Sequence, residues 1–150
     1  MKKDITKKYN MVFEDYFEDY EIKHEFKKEF ISLWSGWLDK DNYHKLDEVT
    51  ESEWERFNAL IRSISKQYEL LLVNLDQKAI SSIDDIDKTL LNYDDYMNKS
   101  GSEFSIYIIP ELNSIITEDW DYTFIIWYKN DNVIKKLKPI IEESELYHFT

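Results

Sequence analysis

Apolar residues recur along this chain with two different periods, and the change of period divides it. Over residues 5–20, Ile5, Tyr9, Val12, Phe13, Tyr16, Phe17 and Tyr20 follow a helical series, with Glu14, Asp15, Glu18 and Asp19 on the opposite side. That spacing predicts an amphipathic helix with an acidic outer face. A second stripe, Phe26, Phe30, Leu33, Trp34 and Trp37, predicts a helix over 25–38, out of phase with the first, so a break is expected over 20–24. Residues 39–49 are polar and acidic, a loop by composition. Thr50 stands three residues before Glu53, the spacing of a capping box, and opens a third helix carrying Trp54, Phe57, Ile61, Ile64 and Tyr68.

The period then shortens. Leu70, Leu71, Leu72 and Val73 form an apolar run too short for a helix and are expected to be a buried strand. Ser81 and Ser82, followed by Asp84 and Asp85, mark a helix start, and Ile83, Ile86, Leu90, Tyr93 and Met97 trace a fourth helix that ends at Ser100, Gly101 and Ser102. Residues 103–130 are the most apolar stretch and read as three consecutive strands. Phe104, Ile106 and Ile108 alternate with polar or amphipathic neighbours, Pro110 demands a bend, and 113–117 is the second strand. The third, over 122–128, is apolar on both faces, which argues for an interior position. A last helix presents Val133, Leu137, Ile140 and Ile141 inward, with Pro139 on its polar side and a kink expected there, before a short strand from Leu146 to Phe149. The expected fold is therefore α+β: one domain with a helical N-terminal half and a mixed, mainly antiparallel sheet of about five strands. The segment over 70–109 is expected to be a right-handed parallel β-α-β crossover, followed by an antiparallel meander.

Composition narrows the function classes. The 150 residues carry a formal net charge of −12, with 43% apolar and 16% aromatic residues. Such a surface repels phosphates and anionic lipid and attracts basic proteins, so nucleic acid and membrane are not expected as partners. There is no cysteine, which removes disulfides, thiolate metal sites and cysteine nucleophiles. The basic N-terminus lacks an apolar segment of signal-peptide type, and no apolar run reaches bilayer length, so a soluble cytoplasmic protein is expected. The only glycines are Gly36 and Gly101. Phosphate-cradling and dinucleotide loops depend on glycine, so no cofactor is expected.

The candidate chemistry is correspondingly thin. Asp39, Asp41 and Asp47 open an EF-hand-like spacing, but His44 stands where the loop needs glycine and Thr50 where it needs a bidentate glutamate. His24, His44 and His148 lack ligand spacing; His24 beside Glu21 and Glu25 suits a solvated helix residue better than an oriented base, and His148 reads as an edge or packing residue. The pairs Asp84–Asp85, Asp94–Asp95 and Glu118–Asp119 diverge as sequence neighbours and do not converge on one substrate. One place stands apart. Glu118, Asp119 and Asp121 surround Trp120 at a strand connection, the composition of an anchor for a basic partner. The alternative is that Trp120 folds back over the sheet and the acids solvate the turn.

The run PELNSIITEDWDYTFIIWYKN, followed by a helix and the ending SELYHFT, resembles the C-terminal strand module of small acidic bacterial immunity proteins. The resemblance covers about a third of the chain, lies in the order strand, acidic turn, aromatic strand, helix, strand, and transfers no functional residue. It implies a cytoplasmic inhibitor of a cognate toxin domain. The leading expectation is thus a non-enzymatic binding protein whose acidic surface meets a basic toxin. Its candidate contacts are Glu14, Asp15, Glu18 and Asp19 on the first helix and Glu118, Asp119, Trp120 and Asp121 in the turn. The rival expectations are a structural or regulatory interaction module and an enzyme built from dispersed acids.

Overall fold

The computed structural model describes residues 5–90 and 104–150. Its centre is a seven-stranded sheet in the order β5-β4-β6-β7-β8-β3-β9, antiparallel throughout. The strands are β3 (Lys27–Ser32), β4 (Leu71–Asn74), β5 (Ala79–Ser82), β6 (Ile106–Ile109), β7 (Ser114–Asp119), β8 (Thr123–Tyr128) and β9 (Tyr147–Phe149). A separate two-stranded hairpin, β1 (Phe17–Glu18) and β2 (Glu21–Ile22), belongs to the N-terminal segment. The described helices are α1 (Ile5–Tyr9), α2 (Glu51–Gln67), α3 (Ile86–Thr89) and α4 (Asn132–Glu143), with 3-10 turns at Phe13–Asp15, Lys40–Glu48 and Pro110–Leu112.

The N-terminal half is therefore not clearly helical, with α2 as its one long described helix, and the sheet is neither mixed nor five-stranded. Asn10 takes a left-handed backbone and α1 ends beside it; Asp19 and Tyr20, both with φ above +50°, form the tight β1–β2 turn. The helical spacing of Phe13 and Phe17 is real but is satisfied across a turn, where the two rings stack at 4.7 Å. The expected second helix is instead strand β3 followed by a loop. Its misleading signal is Glu29, which reads as solvent-facing but is buried, so the alternation Glu29, Ile31 against Phe30, Ser32 is hidden by polarity. The parallel crossover is also absent. Residues 79–82 return as β5 in a hairpin with β4, and β4 pairs β6 antiparallel. Ser81 and Ser82 belong to that strand, and Asp85 caps α3 by accepting from the Asp87 amide at 3.0 Å. The remainder of the expected fourth helix, including Tyr93 and Met97, lies outside the described residues.

Other expectations hold. Thr50 and Glu53 form the reciprocal cap of α2, Glu53 N–H to Thr50 Oγ1 at 3.2 Å and Thr50 N–H to Glu53 Oε1 at 3.1 Å. Pro110 begins a 3-10 turn that Asn113 closes with φ 48°, and β8 is an interior strand between β7 and β3. Pro139 sits exposed within α4, where its missing N–H costs least.

Both faces of the sheet are covered, by different means. On one face, Ile31, Ile109, Ile116, Phe124 and Ile126 pack against Trp54, Phe57, Ile61 and Ile64 of α2 and Leu137 and Ile141 of α4. On the other, Leu71, Val73, Ile108 and Ile115 pack under Met11, Phe13, Tyr16, Phe17 and Phe26 of the N-terminal segment. The buried part of that cover lies over β4, β6 and β7, with Ile80 of β5 and Trp127 of β8 packed at its margins. Phe57, fully buried, contacts Trp54 and Phe124 rings at 5.3 and 4.9 Å. Phe57→Ala is expected to lower stability by about 3–5 kcal/mol through lost burial and the cavity left behind; urea denaturation checks this, and a loss below about 1 kcal/mol would show that the α2 face is not the main core.

Candidate functional site

Strand polarity places five segments at one end of the sheet. The β7–β8 turn, the β4–β5 turn, the loop leaving β3, the start of β6 and the start of β9 all lie there, because each pairing in the register is antiparallel. The β7–β8 turn is shaped by its backbone. Asp119 pairs Thr123, leaving residues 120–122 as the loop, and Asp121 and Tyr122 have φ of 60° and 55°. A left-handed backbone at a bulky residue costs on the order of 1 kcal/mol. Burial offsets it: the Tyr122 ring is buried beside Trp34 and Trp54, and Ser32 Oγ donates to the Tyr122 carbonyl at 3.1 Å. With Tyr122 held inward, Trp120 and Asp121 are directed out.

The four residues of the acidic turn therefore differ in role. Glu118 points to the helical side, half-buried, and accepts from the Ser105 amide at 2.8 Å, so it fastens the start of β6. Asp119 accepts from the Trp120 amide at 2.8 Å. Trp120 meets Phe104 edge-on at 4.6 Å yet stays 58% exposed. The Asp121 carboxylate is exposed and makes no hydrogen bond or ion pair with any described residue.

Beside Asp121 lies a cavity of about 420 Å³ lined by Ser32, Trp34, Gly36, Trp37, Leu38, Tyr43, Leu46 and Asp121. Asp121 is the single charged group among the described residues of that lining. Trp37 and Tyr43 are 60% and 56% exposed, unusual for rings this large. Trp37 rests on Phe30 at 4.6 Å and on Phe149 at 5.2 Å, so one part of the indole is fixed on the sheet while the rest remains open. A second concavity of about 390 Å³ lies across the same loop and includes Lys45 and the exposed Tyr147. Trp34 and Trp37 were expected in a helical stripe and Tyr43 in a featureless loop; a run of aromatics around the chain's one described glycine was the signal available.

The first acidic set is rearranged. Asp15 accepts from the Val12 amide at 2.8 Å and closes the 3-10 turn. Glu14, Glu18 and Asp19 are exposed and line a concavity of about 540 Å³ together with Lys23 and Lys78, while Lys78 Nζ stands 5.1 Å from the Tyr20 ring centre. These carboxylates form no helical acidic face. They share their concavity with two cations.

One buried polar cluster was invisible in the sequence. Glu29 of β3 accepts from Tyr128 Oη of β8 at 3.1 Å and meets His148 Nδ1 of β9 at 3.2 Å. It ties three neighbouring strands, the last at the sheet edge. Burial first, and the Glu29 acceptor second, push the Tyr128 phenol up to about 12. Tyr107 and Tyr16 are also pushed up to about 12, chiefly by burial. His24 and His44 are exposed on separate segments, and no group of three His, Asp or Glu among the described residues is placed to hold a metal. Among the same residues no helix is long and apolar enough to cross a membrane.

Comparison with protein-family models, with characterised proteins and with solved structures finds no match to this chain.

The tyrosines set a pH limit. Folding favours their neutral forms, so this stability is complete below pH 10, the ordinary tyrosine value, and is lost as pH rises through about 12. Urea midpoints are expected to fall between pH 10 and 12, with a shallower fall in Tyr128→Phe; a flat profile would contradict the burial argument. Glu29→Ala is expected to cost about 1–3 kcal/mol, since it leaves the buried Tyr128 hydroxyl without its acceptor and the half-buried His148 ring without its partner, and to speed amide exchange in β9 before the rest of the sheet.

Proposed function

We propose that the chain is a protein-binding module and acts as an inhibitor of immunity type, seating the β7–β8 end of its sheet on a basic domain of a bacterial toxin. The observation that carries this reading is the gathering of Trp37, Tyr43, Trp120 and Tyr147 at that end, each more than half exposed. Isolated exposed apolar residues are ordinary; four large rings on the connections of one sheet end are not. Trp and Tyr are enriched among residues that carry binding energy, because they bury much area for little lost freedom. Asp39, Asp119 and Asp121 flank them, and the whole chain carries −12. This combination suits a basic protein face, with the rings supplying affinity and the acids supplying steering and orientation.

The resemblance of the strand–acidic turn–strand–helix–strand order to immunity proteins supports the same reading. The acidic balance weighs against phosphate-bearing partners. The inhibitor need not perform chemistry; occlusion of a toxin's functional cleft suffices. Within this reading Trp120, Asp119 and Asp121 are contacts, whereas Glu118 acts inside the fold. Glu14, Asp15, Glu18 and Asp19 form a separate, charge-mixed surface.

The test is co-expression with the product of an adjoining toxin-like reading frame. Wild type is expected to restore host growth and to form a complex that weakens with added salt. The combined variant Asp119→Lys, Trp120→Ala, Asp121→Lys is expected to weaken binding roughly 100-fold or more, with little change in urea midpoint. Charge reversal at Glu14 and Glu18 is expected to have a small effect. Growth arrest persisting at equal expression would end the inhibitor reading, and unchanged affinity in the triple variant would misplace the surface.

A further inference from the structure

We propose that the cavity framed by Trp34, Trp37 and Tyr43 is a receptor for an arginine side chain, with Asp121 as its counter-charge; that a protein partner presents this arginine rests on the reading above. A cavity of about 420 Å³ lies at the small end of ligand-sized pockets, which run from about 300 to 1,000 Å³. Its described lining combines the rings of Trp34, Trp37 and Tyr43 with Leu38 and Leu46, and the one charge among those described residues is a carboxylate that no described residue pairs. Aromatic faces carry negative potential and attract cations, most favourably where a carboxylate completes the site. An anionic ligand meets repulsion at Asp121 and finds no cation among the described lining residues. A purely apolar ligand would leave that carboxylate partly desolvated without compensation. A guanidinium satisfies both elements: its plane stacks on an indole while its N–H groups reach the carboxylate.

Gly36 supplies an independent observation. The chain places non-glycine residues at all eight of its described left-handed positions, and none of its described glycines has positive φ. A Cβ built at Gly36 meets nothing within 4 Å. Neither backbone strain nor internal packing requires glycine there. Gly36 lines both this cavity and the one across the loop, so a side chain there would take up space that glycine leaves open.

Gly36 also provides a clean test. The probe is Nα-acetyl-arginine-N-methylamide, titrated into the full chain and followed by the indole N–H signals in two-dimensional NMR; Nα-acetyl-norleucine-N-methylamide is the uncharged control. The arginine probe is expected to shift the Trp34 and Trp37 signals with a dissociation constant in the millimolar range, tenfold or so tighter than the control, a difference of about 1.4 kcal/mol. Asp121→Asn is expected to remove most of that difference. Gly36→Leu is expected to abolish the shifts while the urea midpoint stays that of wild type. Equal binding of the two probes, no response of Trp34 and Trp37, or an unchanged preference in Asp121→Asn would overturn the assignment. The titration contains no partner, so its outcome is separate from co-expression: a bound probe with no growth rescue sinks the inhibitor reading and leaves the pocket standing.

Discussion

An antiparallel sheet whose interior strands are apolar on both sides must be covered on both faces, and the rest of this structure follows from how that demand is met. β7 and β8 each bury residues toward α2 and α4, and β7 also buries Ile115 toward the N-terminal segment. The helices are rigid, amphipathic and long enough to cover the first face. The second face receives an irregular chain, α1, a 3-10 turn and a small hairpin, whose stability rests on aromatic packing more than on backbone regularity. Phe13, Phe17, Tyr16 and Phe26 pack there in two stacked pairs. Because this cover ends at the Trp127 margin of β8, that face keeps Phe30, Trp127 and Phe149 half-buried, and the loop after β3 folds Trp37 over Phe30 and Phe149.

The candidate binding end grows out of that incomplete cover. Trp37 is held on Phe30 and Phe149 and so presents a fixed surface; ordering has been achieved within the free protein and need not be repeated on association. The same holds across the β7–β8 turn, where the buried Tyr122 dictates the direction of Asp121. A ring and a carboxylate from segments more than eighty residues apart thus share one cavity without contact between them having been encoded locally. Of the eight described left-handed residues, none a glycine, Asn10, Asp19, Asn113 and Asp121 are types that tolerate that backbone by turn chemistry, whereas Tyr20, Lys78, Tyr122 and Glu145 are not.

The Glu29–Tyr128–His148 cluster serves a different purpose. An edge strand of three residues has few ladder bonds to hold it. A buried carboxylate shared between the interior strands and β9 fixes the edge in register, since a slip by one residue would carry His148 to the opposite face. The polar groups satisfy one another, which makes their burial tolerable and the pairing specific.

Much of the chain from Thr50 onward was legible in the sequence because its signals are local. The Thr50–Glu53 cap, the uninterrupted stripe of α2, the two-faced apolarity of β8, and the inward series of α4 each express a preference that neighbouring residues settle among themselves; the apparent alternation of β6 was no such guide, since Tyr107, Ile108 and Ile109 are all buried. Composition likewise bounded the chemistry, through absent cysteine, scarce glycine and acidic balance. The N-terminal half was misread because its period is ambiguous. Phe13, Tyr16 and Phe17 carry helical spacing, yet the turn at Asp19 and Tyr20 and the sheet below them decide the conformation. In β3, buried Glu29 breaks the visible alternation, and its justification lies at Tyr128 and His148, 99 and 119 residues away. The acidic turn with Trp120 could be read from the chain; the cavity beside it could not, since only strand order brings Trp34, Trp37 and Tyr43 to Asp121. The sequence by itself determined which segments seek burial, but not that the Glu29 carboxylate is buried with them. Tertiary pairing decided which apolar surfaces were left over, because that depends on where the cover of a sheet ends, a property of no single segment.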